Sequence, residues 1–205
     1  GKSTLIKLLL RFYDVTKGEI LLNGVNIKEF KLNEYRKLFS PVFQNYNMYA
    51  ATIEENILMD ICNEHKANVD LAITSVGLDS RFKNSEINLK SYLNKEIYAE
   101  SVDLSGGEKQ KIAISRVIVQ KDNSEIFIFD EPNSYLDAIA EYEINKTINN
   151  IFSDKITITI SHRLSNIQDS DCIYVLDNGS IKEYGKHEEL MAINGLYKQM
   201  YNAQA

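Results

Sequence analysis

Three short stretches of this chain carry residue types whose spacing suits phosphate chemistry. Gly1-Lys2-Ser3-Thr4 matches the second half of a phosphate loop, G-x-x-x-x-G-K-[ST]. Backbone amides at the start of a helix favour an anion. Lys2 supplies a point charge for β- and γ-phosphates, the Ser3 hydroxyl can ligate Mg²⁺, and Thr4 can donate to an α-phosphate. Read alone, the same four residues also describe an ordinary helix start with a lysine in its first turn. Asp130-Glu131 closes the apolar run Ile126-Phe127-Ile128-Phe129. Two carboxylates at the end of a buried strand are costly unless they serve a cation or a proton transfer, and α/β proteins place ligands at strand ends. In that role Asp130 holds Mg²⁺ through water and Glu131 polarises an attacking water as general base. Solvated loop acids are the equal alternative. Leu104-Ser105-Gly106-Gly107-Glu108 opens a long helical stretch. Ser105 and Glu108 fit a capping box. That box leaves unexplained the Gly106-Gly107 pair, which is unfavourable in a helix unless the backbone must approach a ligand closely.

The elements that must position these residues alternate between strand and helix patterns. Leu5, Leu8, Leu9 and Phe12 predict a helix over 3–12. Glu19–Leu22 followed by Asn23-Gly24 predicts a strand and a tight turn. A short helix over 32–39 leads to a strand at Pro41–Phe43, ending at Gln44. From about residue 52 to 120 the helical period dominates, with Gly77 placed as a C-terminal cap. Residues 78–100 are polar and poorly patterned, and a long helix follows over 105–120. The run Ile126–Phe129 predicts a strand buried on both faces. Helix is expected over 137–151, and β-branched Ile156–Ile160 predicts a second buried strand. Asp177-Asn178-Gly179 marks a hairpin, and two short helices end the chain. This order predicts an α/β fold with an inserted helical portion.

With 205 residues, 44% hydrophobic and 25% charged, the composition is that of a soluble globular domain. The net charge of −6 argues against a nucleic-acid partner, which needs a basic footprint. Cys62 and Cys172 lack metal-ligand spacing. No apolar run reaches the roughly 18 residues that span a bilayer, so any membrane role is expected through a partner or a further segment.

In order and spacing, these stretches resemble the ATP-binding-cassette (ABC) family. Leu104–Glu108 resembles its signature motif, with Glu108 where glutamine is commonest, and Ile126–Glu131 its Walker B strand and catalytic glutamate. Ser134-Tyr135-Leu136-Asp137 resembles the D-loop, His162 the switch histidine and Gln44 the Q-loop glutamine. The resemblance covers essentially the whole chain. It implies a P-loop NTPase-like core at 1–48 and 121–205, with a helical subdomain over about 49–120. It also implies Mg²⁺-dependent ATP hydrolysis in a head-to-tail pair of cassettes, homodimer or heterodimer. Gly1, Lys2, Ser3, Thr4, Gln44, Asp130, Glu131 and His162 would serve the ATP of their own chain. Ser3, Gln44 and Asp130 would attend the metal, and Glu131 and His162 would be catalytic. Ser105, Gly106 and Gly107 would reach the γ-phosphate bound by the partner, and Asp137 would combine a D-loop role with a helix cap.

Ser161–Ile167, Gly185–Leu190 with Gly195-Leu196-Tyr197, and Thr52–Ile57 resemble exporter-type cassettes in particular. The implied setting is the cytoplasmic face of a membrane, with transmembrane domains on the same polypeptide. The alternative is a soluble cassette protein of translation or DNA repair. Opening within the phosphate loop, the chain is expected to continue upstream and, as it stands, to bind ATP poorly. Two segments depart from the exporter pattern: Tyr98–Val102 before the signature, and Pro132-Asn133 with Tyr135 after Walker B.

Overall fold

The structure, a computed structural model, describes residues 1–59, 66–83, 85–94, 97–132 and 136–204. In chain order its elements are α1 (Lys2–Leu9), β1 (Leu21–Leu22), β2 (Val25–Asn26), α2 (Leu32–Arg36), β3 (Phe39–Val42), α3 (Ile53–Leu58), α4 (Lys66–Ser75) and α5 (Asp79–Lys83). There follow α6 (Gly106–Ile118), β4 (Ile126–Asp130), α7 (Ala138–Ile151), β5 (Ile156–Ile160), β6 (Ile173–Asp177), β7 (Ser180–Gly185), α8 (His187–Ala192) and α9 (Leu196–Asn202). The chain divides into two units, residues 1–36 with 159–205, and residues 37–158.

In the first unit α1 stops short of the expected Phe12, because Arg11 adopts a left-handed φ of 51°. The carbonyls exposed by that stop are capped by side chains. Tyr35 Oη donates to Leu9 O at 2.7 Å, and Arg36 donates to Leu10 O at 3.1 Å and Arg11 O at 2.7 Å. A cation at a helix C-terminus also suits the helix dipole. The predicted tight turn and the predicted hairpin both form. Asn23 and Gly24 (φ 51° and 81°) join β1 to β2, and Asn178 and Gly179 (φ 48° and 76°) join β6 to β7. Two successive left-handed residues are what a type I′ turn requires. Leu164, Ile173, Val175, Leu190 and Tyr197 form a small core under α8 and α9.

The second unit contains the larger core. β4 is buried at every position and pairs in parallel with β3, Val42 opposite Phe129. Ile112, Ile114 and Val117 of α6 join Ile53 and Ile57 of α3, Val69 and Ile73 of α4, and Phe127 and Phe129 of β4. Burying each such side chain contributes about 1.5–3 kcal/mol. Helix α5 falls in the stretch that reads as unpatterned. Its anchor is Leu78, only 2% exposed, and Lys83 pairs with Asp79 at 2.9 Å one turn away.

The expectation for Ile156–Ile160 needs correction. It is a strand, but not a buried one: Ile156 is 60% exposed and only Ile160 is buried. β5 is an edge of the sheet β3-β4-β5. Its β-branched residues report fit to a pleated backbone, and burial depends on what covers them.

Candidate nucleotide site

The parallel register of β3 and β4 brings two of the expected site residues together. Gln44 lies two positions beyond Val42, and Glu131 two beyond Phe129, its ladder partner. At equal offset beyond this residue pair, Gln44 Nε2 donates to Glu131 Oε2 at 3.0 Å. Glu131 has a left-handed φ of 51°. A non-glycine residue held there costs of order 1 kcal/mol, and such residues concentrate at functional sites. Asp130, the residue before it, is only 6% exposed and still within the strand. One carboxylate therefore ends a buried strand, and the next is turned out of it and held by an amide.

Behind this turn stands a residue that sequence reasoning missed. Gln110, fully buried on α6, donates to the carbonyl of Pro132. Tyr46 Oη donates to Gly106 O at 3.1 Å, tying the segment after Gln44 to the first residue of α6. Arg116, one helical face further along, donates to Asn56 O at 2.7 Å and Asn47 O at 2.8 Å. Burial pushes the Arg116 guanidinium below its ordinary range, with opposition from Tyr49. Asn56, itself 1% exposed, closes the 49–56 loop by accepting from Tyr49 N and donating to Tyr49 O and Thr52 O. A polar residue inside a helical period carries no local signal. The one usable hint is that glutamine and asparagine occupy positions the apolar pattern assigns to the core.

The start of α6 is a complete capping box. Ser105 Oγ accepts from Glu108 N at 3.2 Å and Glu108 Oε2 accepts from Ser105 N at 2.8 Å. Arg81 of α5 donates to the other Glu108 oxygen at 3.0 Å. Partial burial raises the Glu108 carboxyl, but the Ser105 bonds and Arg81 outweigh it and hold it below the usual range. Gly106 and Gly107 both have ordinary helical φ, so backbone sign does not account for the pair. Asp137 caps α7, accepting from Ile139 N at 3.0 Å and Ala140 N at 2.9 Å. Ser134, Tyr135 and Asn133 lie outside the described residues, as does Cys62.

In the other unit Gly1 is the N-cap of α1 without a side-chain cap, and Gly1, Lys2, Ser3 and Thr4 are all exposed. His162 follows β5 in a bend set by Ser161, whose hydroxyl accepts from Arg163 N and donates to Arg163 O, both at 2.9 Å.

Fold and residue set define an α/β domain of the P-loop ATPase type. The profile of the ABC transporter family matches residues 1–134, and the chain belongs to that family. It is 37% identical over 204 residues to the ATP-dependent lipid A-core flippase of Pasteurella multocida, covering all of this chain and 34% of that protein. Over 210 residues it is 36% identical to the leptomycin B resistance protein of Schizosaccharomyces pombe, covering 98% of this chain and 14% of that protein. The solved structure of a bacterial Atm1-family ABC exporter with ATP bound matches with a TM-score of 0.91 at 36% identity, over all of this chain and 35% of that one. The chain thus spans about a third of the flippase and of the exporter chain. These relatives fit the exporter reading and not the translation or repair alternative.

Proposed function

We propose that this chain is the ATP-binding and ATP-hydrolysing domain of an exporter-type ABC membrane transporter, working at a head-to-tail interface with a second such domain. The observation that carries the reading is the Gln44–Glu131 bond at the ends of two parallel strands, with Glu131 held in a strained backbone conformation. The similarity to a flippase and to an exporter with ATP bound supports the transport setting. Core segments 1–48 and 121–205 with a helical subdomain over about 49–120 remain the division we propose.

Lys2 and the first-turn amides of α1 would hold the β- and γ-phosphates, with Gly1 and Thr4 beside them. Glu131 would accept the proton of the attacking water, oriented by the Gln44 amide, and His162 would donate to the γ-phosphate. Ser105, Gly106 and Gly107 would face the γ-phosphate held by the partner, with Asp137 at the same interface. The Ser3 hydroxyl, Gln44 amide oxygen and Asp130 carboxylate are hard oxygen donors, the set that suits Mg²⁺. Among the described residues no group of three or more His, Cys, Asp or Glu is placed to hold a metal. When bound, Mg²⁺ would neutralise charge on the ATP phosphates. Among the described residues no helix is long and apolar enough to cross a membrane, so spanning segments would lie elsewhere on the polypeptide or on a partner.

The test is ATP turnover by the full-length gene product against its Glu131→Gln variant. Wild type should hydrolyse ATP with Mg²⁺, and the variant should bind ATP but turn over at least about 100-fold more slowly. Equal rates in the two would sink the hydrolase assignment.

A further inference from the structure

We infer that Gln204, just past the end of α9, is a positioning residue for the segment that carries His162. The inference rests on the proposed role of His162 in hydrolysis. The Gln204 side-chain amide spans that segment with both of its ends. Its Nε2 donates to His162 O at 2.7 Å, and its Oε1 accepts from Leu164 N at 2.9 Å. One planar group therefore fixes the peptide units on both sides of Arg163, and with them the direction in which His162 leaves the chain.

Two further features frame this clamp. A cavity of about 400 Å³ is lined by His162, Arg163, Leu164, Ser165, Tyr201 and Gln204. Leu164 anchors the segment in the small core, while the side facing the cavity is not packed solidly, and there the Gln204 hydrogen bonds hold the backbone on either side of Arg163. The platform bearing Gln204 is itself anchored. Tyr197 of α9 is buried, and Gln204 N donates to Tyr201 O at 3.0 Å; the Tyr201 hydroxyl, which accepts from Gln168 Nε2 at 2.8 Å, takes no part in the clamp. Ser161 closes the bend from the other side. A donor to a developing charge contributes only when it is already in place, so loosening the segment should slow turnover without weakening ATP binding.

The experiment compares wild type with Gln204→Ala, Gln204→Glu and Tyr201→Phe in the full-length protein. The readouts are kcat and KM for ATP, melting temperature, and hydrogen exchange at the Leu164 amide. Gln204→Ala should lower kcat about tenfold with KM changed by less than about twofold, and Leu164 should exchange faster. Gln204→Glu keeps the acceptor for Leu164 but loses the donor to His162, so it should protect Leu164 while still losing kcat. Tyr201→Phe removes the Gln168 bond and keeps the clamp, so its kcat should stay within about twofold of wild type. Unchanged kcat in Gln204→Ala overturns the inference, and so does an equal fall in Tyr201→Phe. If wild type turns over while Glu131→Gln does not, those results condemn the clamp alone. If wild type and Glu131→Gln turn over alike, the hydrolase reading fails and takes this inference with it.

Discussion

Helices α1 and α6 both begin with glycine in their first turn or cap, and they treat their first amides differently. α1 starts at Gly1 with no side-chain cap, and its first four residues are exposed. α6 starts at Ser105 with both halves of a capping box made and Arg81 bracing Glu108. The first amides of a helix have no intrahelical partner. In α6 the box satisfies the amides of Ser105 and Glu108, and the two left over belong to Gly106 and Gly107. These are the residues with no Cβ to keep a ligand away. One anion-suited helix start thus lacks a side-chain cap, and the other carries its own.

That difference can be broken by mutation, and the largest effect belongs to α1. Lys2→Ala should weaken ATP binding by about 10- to 100-fold, the weight of a hydrogen bond to a charged group, while the melting temperature stays put. Calorimetric titration beside a thermal melt checks both halves, and a lowered melting point would show that Lys2 supports the fold as well as the ligand. Ser105→Ala comes next. Loss of the cap should cost about 1 kcal/mol, lowering the melting temperature by about 2–4 °C, and turnover should fall as well. A variant that loses turnover with no loss of stability would mean the box contributes nothing to the fold.

The smallest effect is a dependence on pH. The Glu108 carboxyl sits below its ordinary range because the Ser105 bonds and Arg81 outweigh the effect of partial burial. A depressed carboxylate contributes stability that is complete above its unfolded value and lost as pH falls through the folded one. Glu108→Gln retains a box but not the charge. Its deficit should be a few tenths of a kcal/mol at neutral pH, since Arg81 is half exposed, and the gap from wild type should close on acidification. A gap that does not change with pH would assign the deficit to something other than the carboxylate.

What the sequence shows of this molecule is mostly local. Asn23-Gly24 and Asn178-Gly179 announce their turns because few residues tolerate a left-handed backbone. Ser105 with Glu108, and Asp137 ahead of α7, announce their caps because donor and acceptor lie within one turn. The acid pair at the end of β4 is legible because charge after a buried run demands a reason. What stays hidden depends on distant partners. Gln110 reaches Pro132 and Gln204 reaches Leu164 across 22 and 40 residues of chain, and nothing near either glutamine names its partner. Helix α5 rests on Leu78 just before it and on partly buried Phe82 rather than on a full apolar stripe. The exposure of β5 follows from its place in the sheet, which its own five residues do not encode.

The equal offset of Gln44 and Glu131 beyond paired residues has a consequence for how this protein can vary. The two side chains meet because the β3–β4 ladder acts as a ruler, and a ruler tolerates changes of text but not of length. Substitutions along either strand that respect volume leave the two ends level. A single residue inserted into or deleted from either strand shifts its end by about 3.3 Å, the rise of a parallel strand, and takes Gln44 and Glu131 out of level. Length changes in descendants of this chain should therefore collect in its turns and spare the two strands up to their polar ends.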